Sequence, residues 1–321
     1  MITTSMLTQA QDRISKYIHR TPLTFDQHNQ FYLKWENRQI TGSFKLRGAL
    51  NKVLSVDKTD QNRELVTASA GNHGQGVALA ARHTGDRVKV FVSEHAVPAK
   101  VAAMQSLGAE VHSVRGGYAE AEKAAQAYAR DRGAVWVSPY NDLEVIAGQG
   151  TIGLEIQEQL AVQVEACLVP AGGGGLICGV GAAFHSLSNS IPIIGVQSEA
   201  SAYMYALFHN CTQTDVLERE SLADGLSGAV EENSLTIELS RKLVMDIILV
   251  SEEEIEKAIA YAWYTYQETI EGSAAVGLAA ALSGKIKQRP ILIIVSGGNI
   301  QPERHAEILN RWGPTIPEGK R

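Results

Sequence analysis

From about residue 64 onward, short runs of β-branched and other apolar residues alternate with longer amphipathic stretches. Strands are predicted at residues 65–68, 87–93, 109–114 and 134–137, and helices at 73–84, 97–107 and 118–132. Farther along the chain, strands are predicted at 165–170, 191–198 and 290–296, with helices between them. Strands that alternate with helices are typical of parallel sheets. The pattern therefore predicts an α/β protein.

Residues 64–138 form a compact block that can bury a sheet of its own, whereas the segments on either side carry different motifs. We therefore predict a small domain over residues 51–138, inserted into a large domain made of residues 1–50 and 139–321. The stretch from 199 to 235 is irregular and contains turn signals. Beyond it, Ser251 and the three glutamates that follow predict the start of a long helix.

Composition and charge exclude several classes of protein. With 45% hydrophobic and 20% charged residues, the 321-residue chain resembles ordinary globular proteins rather than disordered or fibrous ones. Its 29 basic and 35 acidic residues give a formal net charge of -6, which would repel the backbone of a nucleic acid. We therefore expect no nucleic-acid partner.

The cysteines and the apolar segments bear on the compartment. Three widely spaced cysteines, Cys167, Cys178 and Cys211, indicate buried thiols in a reducing compartment rather than disulfides. The N-terminal segment contains no apolar core of a secretory signal. Residues 167–184 carry no charge, but Pro170 and the glycines among them favour a strand, a turn and a helix over a membrane span. We expect a cytoplasmic protein without a membrane partner.

The first candidate for chemistry is the segment 41–49, TGSFKLRGA. Ser43 is predicted to cap a helix, which would place Lys45 in the first turn, where the helix dipole disfavours cations. A lysine held there would have a lowered pKa and could act as an amine nucleophile that forms a Schiff base. The alternative is a solvated lysine at a helix end.

Two glycine-rich turns each lie between a predicted strand and a predicted helix. In residues 69–76, SAGNHGQG, the glycines would leave backbone N–H groups open to an anion, or the segment is an ordinary turn capped by Ser69 and Asn72. In residues 172–175, four consecutive glycines are best explained by a phosphate cradle. A nicotinamide dinucleotide fingerprint is the competing interpretation, but its third glycine arrives at 179 instead of 178.

A fourth segment, Ser296 to Asn299 (SGGN), follows a late strand, at the edge where open α/β sheets bind ligands. Ser296 would offer a neutral hydroxyl there, although the same residues also form a good turn. The nine histidines show no HxxxH or HExxH spacing, and no GxSxG motif is present. The sequence therefore identifies no metal site and no serine-hydrolase triad.

Taken together, SFKLRGA, SAGNHGQG, GGGGL and SGGN resemble, in order and interval, the fold-type II pyridoxal-phosphate (PLP) enzymes, specifically threonine and serine dehydratases and serine racemases. The resemblance extends to residues 20–23 (RTPL), 139–151 (PYNDLEVIAGQGT) and 271–275 (EGSAA), and so spans nearly the whole chain. It implies two open, mostly parallel, twisted sheets flanked by helices. It also implies a homodimer that acts on a small amino acid.

The resemblance implies a role for individual residues. Lys45 would bind PLP as a Schiff base and act as the catalytic residue, with Phe44 against the cofactor ring. Asn72 would hydrogen-bond the phenolic oxygen, and Ser296 would meet the pyridine nitrogen. The cofactor phosphate would be bound by the backbone N–H groups of Gly172, Gly173, Gly174, Gly175 and Leu176. The substrate carboxylate would be bound by the loop of Ser69, Ala70, Gly71, Asn72 and His73.

Departures from the family pattern narrow the expected activity. Serine racemases carry an acid/base serine where this chain has Ala70, which cannot transfer a proton, so racemisation is disfavoured. Where a racemase-like cation site would need a second acid, the chain has Tyr205, which leaves Glu199 as the only candidate ligand and the metal undetermined. The chain ends at Arg321, from which we expect no isoleucine-regulated C-terminal domain.

We therefore expect a PLP-dependent ammonia-lyase that dehydrates and deaminates a small β-hydroxy amino acid, with L-threonine or L-serine as the preferred substrate. The alternatives are a hydroxyaspartate dehydratase or another catabolic dehydratase of β-hydroxy amino acids, and, with less support, a serine racemase. A low-turnover PLP-carrying regulatory protein and a nicotinamide-dependent oxidoreductase remain as hypotheses from other classes.

Overall fold

The computed structural model describes residues 1–57, 63–186 and 191–313. The larger of its two sheets has six strands in the order β1-β2-β10-β7-β8-β9. Only the β1–β2 pair in this sheet is antiparallel, and the other four pairs are parallel. Its strands are β1 Leu23–Asp26, β2 Phe31–Trp35, β7 Ala166–Pro170, β8 Ile193–Ser198, β9 Asp246–Val250 and β10 Ile291–Val295.

The smaller sheet has four parallel strands in the order β5-β4-β3-β6. It is formed by a continuous part of the chain, with β3 Glu64–Ala68, β4 Arg87–Ser93, β5 Glu110–Val114 and β6 Val135–Trp136. The predictions of an α/β fold and of two mostly parallel sheets are confirmed. The division of the chain at residues 50/51 and 138/139 stays a prediction.

Helices cover both sheets. In the described residues they are α1 Thr4–Ile14, α2 Lys45–Ser55, α3 Asn72–Thr84, α4 Pro98–Ser106, α5 Tyr118–Arg132, α6 Leu143–Gln159, α7 Gly175–His185, α8 Tyr203–Phe208, α9 Leu235–Leu243, α10 Glu252–Tyr266, α11 Gly272–Leu282 and α12 Pro302–Trp312. The segment 199–235, predicted to be irregular, holds only the short α8 and three single-turn 3-10 helices.

The core of the larger sheet follows from the alternation of side chains along its central strands. Ile291, Ile293 and Val295 of β10 pack with α10 and α11 on one face, while Leu292 and Ile294 pack with α6 and α7 on the other. Every residue of β7, β8 and β10 is buried, and β7 and β10 are continuous apolar runs, as expected for a sheet covered on both faces.

Two features of the predicted chain path are confirmed. Residues 167–184 form the end of β7, a glycine turn and α7, and no helix of the described ranges is long and apolar enough to cross a bilayer. Ser251 caps α10, where its side chain accepts a hydrogen bond from the N–H of Glu254, whose carboxylate accepts the Ser251 N–H in return.

Two local predictions and one alternative interpretation are wrong. Ser43 does not cap α2, because its backbone forms an antiparallel bridge with Gly297 and the helix begins two residues later, after Phe44. Neither Ser69 nor Asn72 caps α3, whose N-cap is Gly71. Finally, Cys211 is exposed, although the other two cysteines are buried as predicted.

Candidate active site

Lys45 lies where the first and fourth motifs meet. The Ser43–Gly297 bridge holds the chain before α2 against the segment that follows β10. The Phe44 N–H donates to the carbonyl oxygen of Ser296 at 3.0 Å. Ser296 is itself buried. The start of the lysine-bearing helix is therefore fixed to the carboxyl end of a central strand.

The surroundings of Lys45 raise the neutral fraction of its amine. Its Nζ atom donates to the carbonyl oxygen of Pro139 at 2.9 Å and lies 5.2 Å from the centre of the Phe44 ring. Desolvation of the ammonium lowers the pKa of Lys45 to about 8, against the attraction of Glu271, which raises it. At this pKa about a tenth of the amine is neutral at pH 7, far more than at the ordinary value of 10.5, and the neutral amine is the nucleophile.

A buried ion network anchors the same helix. The Arg47 guanidinium, two residues after the lysine, binds the carboxylates of Glu36 and Glu155, with distances of 2.7 to 3.0 Å. Lys34 donates to the Glu155 carboxylate at 2.6 Å. Desolvation lowers the pKa of Arg47, but the two carboxylates outweigh it and hold that pKa above its ordinary value. The network has two positive and two negative groups.

The four-glycine turn connects β7 to α7. Gly174 has a φ of +91° and precedes the first residue of α7, Gly175. A Cβ atom at Gly173 would lie 2.4 Å from the ring of Tyr140, and one at Gly174 would lie 2.6 Å from Thr236. Only glycine therefore fits at these two positions. The first N–H groups of a helix have no intrahelical acceptor, so the turn can bind an anion.

The other residues assigned to the phosphate site lie in the same turn. Gly172 approaches the backbone of Leu226, since a Cβ atom there would lie 2.9 Å from the Leu226 Cα. Leu176 is buried in the first turn of α7. Tyr140, next to Pro139, connects this turn to Lys45.

The loop before α3 has room for a ligand. A Cβ atom added to Gly71 would meet no described atom within 4 Å. The Ser69 hydroxyl accepts the Gly71 N–H at 3.2 Å, and both residues, like Ala70, are half-buried. His73 is buried, with its Nε2 atom 3.0 Å from the carbonyl oxygen of Val137. Burial and the charge of Lys45 lower the pKa of His73 to about 3, so this imidazole is neutral.

A hydrogen bond from Asn72 connects Glu271 to the site. The Asn72 side chain donates to the Glu271 carboxylate at 2.7 Å and accepts from Asn299 at 2.7 Å. Burial and the charge of Asp224 raise the pKa of Glu271 to about 7, while the Asn72 hydrogen bond and Lys100 lower it. Glu271 is therefore part protonated near neutral pH.

The structure thus brings all four motifs to one place. Three residues that contact the motifs directly, Glu271, Asn299 and Tyr140, were given no role in the sequence analysis, although each lies in a segment noted there. Signals for them were weak: Glu271 stands at the start of an almost entirely apolar helix, and Asn299 ends the SGGN turn. A buried acid at such a position indicates a polar partner.

The residues present fit the phosphorylated aldehyde that the resemblance implies. Three polar atoms around the lysine are buried without a hydrogen-bond partner in the described ranges: Thr41 Oγ1, Ser43 Oγ and His73 Nδ1. Proteins rarely leave such atoms unpaired, and polar contacts with a bound ligand would satisfy them. Together with the amine of Lys45 and the glycine turn at the head of α7, they offer polar contacts, a nucleophile and an anion site.

A metal site is not identified. Within residues 1–57, 63–186 and 191–313, no three His, Cys, Asp or Glu side chains lie together as potential ligands. Glu199 is exposed and borders a surface cavity of about 410 Å³, whose wall also includes Tyr205, Cys211 and Arg219.

Comparisons with known proteins agree with this geometry. The family model described as "Pyridoxal-phosphate dependent enzyme" matches residues 14–297. The L-threonine ammonia-lyase of Thermotoga maritima is 40% identical over 318 residues, which cover 97% of this chain and 79% of that protein. The catabolic L-threonine dehydratase TdcB of Escherichia coli K12 is 39% identical over 310 residues, 94% of each chain.

Solved structures give the same result. Maize serine racemase superposes with a TM-score of 0.86 at 29% identity, covering 98% of both chains. The processed form of threonine deaminase isoform 2 from Solanum lycopersicum superposes with a TM-score of 0.85 at 30% identity, covering 96% of this chain and 93% of that one. The resemblance inferred from the motifs is confirmed, and the chain belongs to the family of pyridoxal-phosphate-dependent enzymes.

Proposed function

We propose that the protein is a PLP-dependent ammonia-lyase that converts L-threonine or L-serine to a 2-oxo acid and ammonia. The observation that carries the proposal is the convergence of a lysine of lowered pKa, a glycine turn at a helix N-terminus and a neutral serine at the end of β10. The matching relatives named for threonine dehydration or deamination support the substrate class.

In this proposal, Lys45 holds the cofactor covalently, and the backbone N–H groups of residues 172–176 bind its phosphate. Phe44 lies against the ring, Asn72 donates to the phenolic oxygen, and Ser296 meets the pyridine nitrogen. The N–H groups at the start of α3 and the loop of residues 69–73 receive the substrate carboxylate. When bound, PLP supplies an electron sink that makes the α-proton of an attached amino acid acidic.

The side chains then determine which reaction follows. With the cofactor bound, the Lys45 amine would stand beside the substrate and would take up its α-proton. The hydroxyl of Ser296 does not keep the pyridine nitrogen protonated as a carboxylate would, which favours loss of the β-hydroxyl over transamination. Threonine would lose its α-proton and β-hydroxyl together as one water molecule, and a second water would hydrolyse the resulting enamine to 2-oxobutanoate and ammonia.

The substrate is further restricted by the charges near the site. The charge of Lys100 lowers the pKa of Glu271, but the Lys100 ammonium is already paired with Asp224 at 2.8 Å. A hydroxyaspartate would bring a second carboxylate, and this ammonium would have to leave Asp224 to pair with it. We therefore favour threonine and serine over hydroxyaspartate.

The test is a panel of L-threonine, L-serine, their D-isomers and 3-hydroxyaspartate, assayed for both 2-oxo acid and ammonia. Borohydride reduction and peptide mapping should place the cofactor on Lys45. Lys45→Ala should abolish turnover, whereas Lys52→Ala, a change of another lysine on α2, should leave it within about twofold, since Lys52 contacts Asp142 outside the site. A visible cofactor band without 2-oxo acid from any substrate would indicate the regulatory alternative.

We infer further that the protein works as a cytoplasmic homodimer with a small domain over residues 51–138. The dimer and the compartment rest on the family resemblance and on the cysteine pattern, and the domain division rests on the sequence pattern. Sedimentation equilibrium of the PLP-loaded protein tests the dimer, and a monomer at micromolar concentration would contradict it.

A further inference from the structure

The side-chain amide of Asn72 lies between two polar side chains, one on each side. Its Nδ2 atom donates to Glu271 Oε1 at 2.7 Å, and its Oδ1 atom accepts from Asn299 Nδ2 at 2.7 Å. The Asn299 Nδ2 atom also donates to the backbone carbonyl oxygen of Thr41 at 2.9 Å. The Asn299 backbone N–H donates to the Glu271 carboxyl as well. These contacts form a continuous chain from the segment before α2 to the start of α11.

The direction of this chain follows from Thr41, because a backbone carbonyl can only accept. Asn299 must therefore turn its NH2 group toward Thr41, and the second proton of that group faces Asn72. Asn72 must therefore accept this proton with its side-chain oxygen, so its own NH2 group faces Glu271. A reversed Asn72 amide would oppose two NH2 groups at Asn299. The orientation of Asn72 is thus determined by hydrogen-bond accounting rather than by its own rotamer preference.

Two motif glycines make room for these neighbours. A Cβ atom at Gly42, which has a φ of +71°, would lie 2.5 Å from Asn299 Oδ1. A Cβ atom at Gly297 would lie 2.4 Å from Glu271 Oε1. The glycines of the TGSFK and SGGN segments therefore allow Asn299 and Glu271 to reach Asn72.

We propose that Asn299 is a positioning residue that, together with Glu271, fixes the Asn72 amide so that its NH2 group can reach the cofactor. The inference rests on the proposed function, in which Asn72 contacts the phenolic oxygen of PLP. One proton of Asn72 Nδ2 binds Glu271, and the second is available to that oxygen. The reversed amide would instead direct its oxygen toward an oxygen that carries negative charge.

The test compares Asn299→Asp with Asn299→Ala. Aspartate has nearly the shape of asparagine but only accepts, so it attracts the NH2 group of Asn72 and turns the Asn72 oxygen toward the cofactor. Alanine removes the hydrogen bond from residue 299 to Asn72 but does not favour the reversed Asn72 amide. We expect the dissociation constant of PLP to rise about tenfold in Asn299→Ala, where the Asn72 amide is no longer held in one orientation, and about a hundredfold in Asn299→Asp, where the reversed amide opposes a charged oxygen.

If Asn299 served packing alone, Asn299→Ala would weaken PLP binding more than Asn299→Asp, because alanine leaves a cavity and aspartate does not. The pH midpoint of the visible band of the bound cofactor should shift in the same order, since it reports the hydrogen bond to the phenolic oxygen. Circular dichroism of each cofactor-free variant controls for folding. An equal effect of both substitutions, or a larger effect of alanine, would overturn the inference.

A second comparison works even if Asn299→Asp does not fold. In an Asn72→Ala background, Asn299→Ala should change PLP affinity by less than about twofold, because Asn299 acts through Asn72. An undiminished tenfold loss there would overturn the inference. This failure is distinct from failure of the proposed function, in which the wild-type protein itself would hold no PLP on Lys45 or release no 2-oxo acid.

Discussion

Replacing Arg47 with methionine should destabilise the protein strongly, because it leaves buried charge without a partner. The side chains of Arg47 and Lys34 have no exposed surface, and neither does that of Glu36, while Glu155 is 8% exposed. With Arg47 removed, Lys34 alone faces two carboxylates. Methionine fills much of the volume, so the electrostatic loss dominates.

The magnitude can be worked from the charges and the chain length. Removing one partner of a buried ion pair costs about 3–5 kcal/mol. The entropy of unfolding of about 2.1 cal/mol/K per residue amounts to roughly 0.7 kcal/mol/K for this chain, so Tm should fall by about 4–7 °C. The same substitution should weaken PLP binding, because Arg47 lies two residues from Lys45 in the first turn of α2.

Calorimetry of the cofactor-free protein measures the effect, with Arg20→Met as the matched control. Arg20 pairs with Glu158 at 3.1 Å, but both side chains are more than half exposed, so its loss should cost less than about 1 kcal/mol. Adding Glu36→Gln to Arg47→Met restores the balance of charge and should recover part of the loss. Equal Tm values for the two arginine variants, or further destabilisation by Glu36→Gln, would refute the reasoning.

Three further predictions concern the site. Gly174→Ala should weaken PLP binding by at least about tenfold in an absorbance titration. The control Gly108→Ala has a similar φ of +94° but lies in open space, so it should cost only backbone strain of about 1–2 kcal/mol in urea unfolding. Equal PLP affinities of the two variants would contradict a phosphate site at the glycine turn. In stopped-flow measurements, PLP uptake should accelerate as pH rises through about 8, where the amine of Lys45 loses its proton, and then level off; acceleration continuing to 10.5 would mean an unshifted pKa. The pKa of the Glu271 carboxyl is raised from 4.5 to about 7, so this group stabilises the cofactor-free folded state fully below pH 4.5 and loses that contribution as pH rises to 7. Between these pH values, the free energy of unfolding of Glu271→Gln should therefore rise by about 3 kcal/mol relative to that of the wild type. A difference in urea unfolding that stays constant with pH would contradict this prediction.

The alternating part of the fold could be predicted from the sequence because its signals are local. Between residues 64 and 138, each predicted strand and helix was found, with ends that differ by at most one residue. The strand β2 was not predicted, since Lys34 interrupts its apolar run. That lysine is buried beside the carboxylate of Glu155, which lies 121 residues farther along the chain and balances its charge. Such a partner is not visible in a local pattern.

The same limit applies to the site. Lys45 and the glycine turn were assigned from the resemblance carried by four motifs in order, since each segment alone left another interpretation open. The contacts of Asn72 with Glu271 and Asn299 join positions 199 and 227 residues apart, so their meeting depends on the fold. The Ser43 cap was predicted wrongly for a related reason, because pairing with a distant strand end outweighed the local capping preference.

The place of β10 in the larger sheet has a consequence for how the chain reaches its native state. This strand lies between β2 and β7, and it pairs Ile291 with Phe31, 260 positions earlier. Until it inserts, β2 and β7 expose unpaired backbone edges, and closing so long a loop is slow. We therefore expect newly made chains to pass through an aggregation-prone stage, at which a chaperone that shields strand edges would raise the yield of active protein.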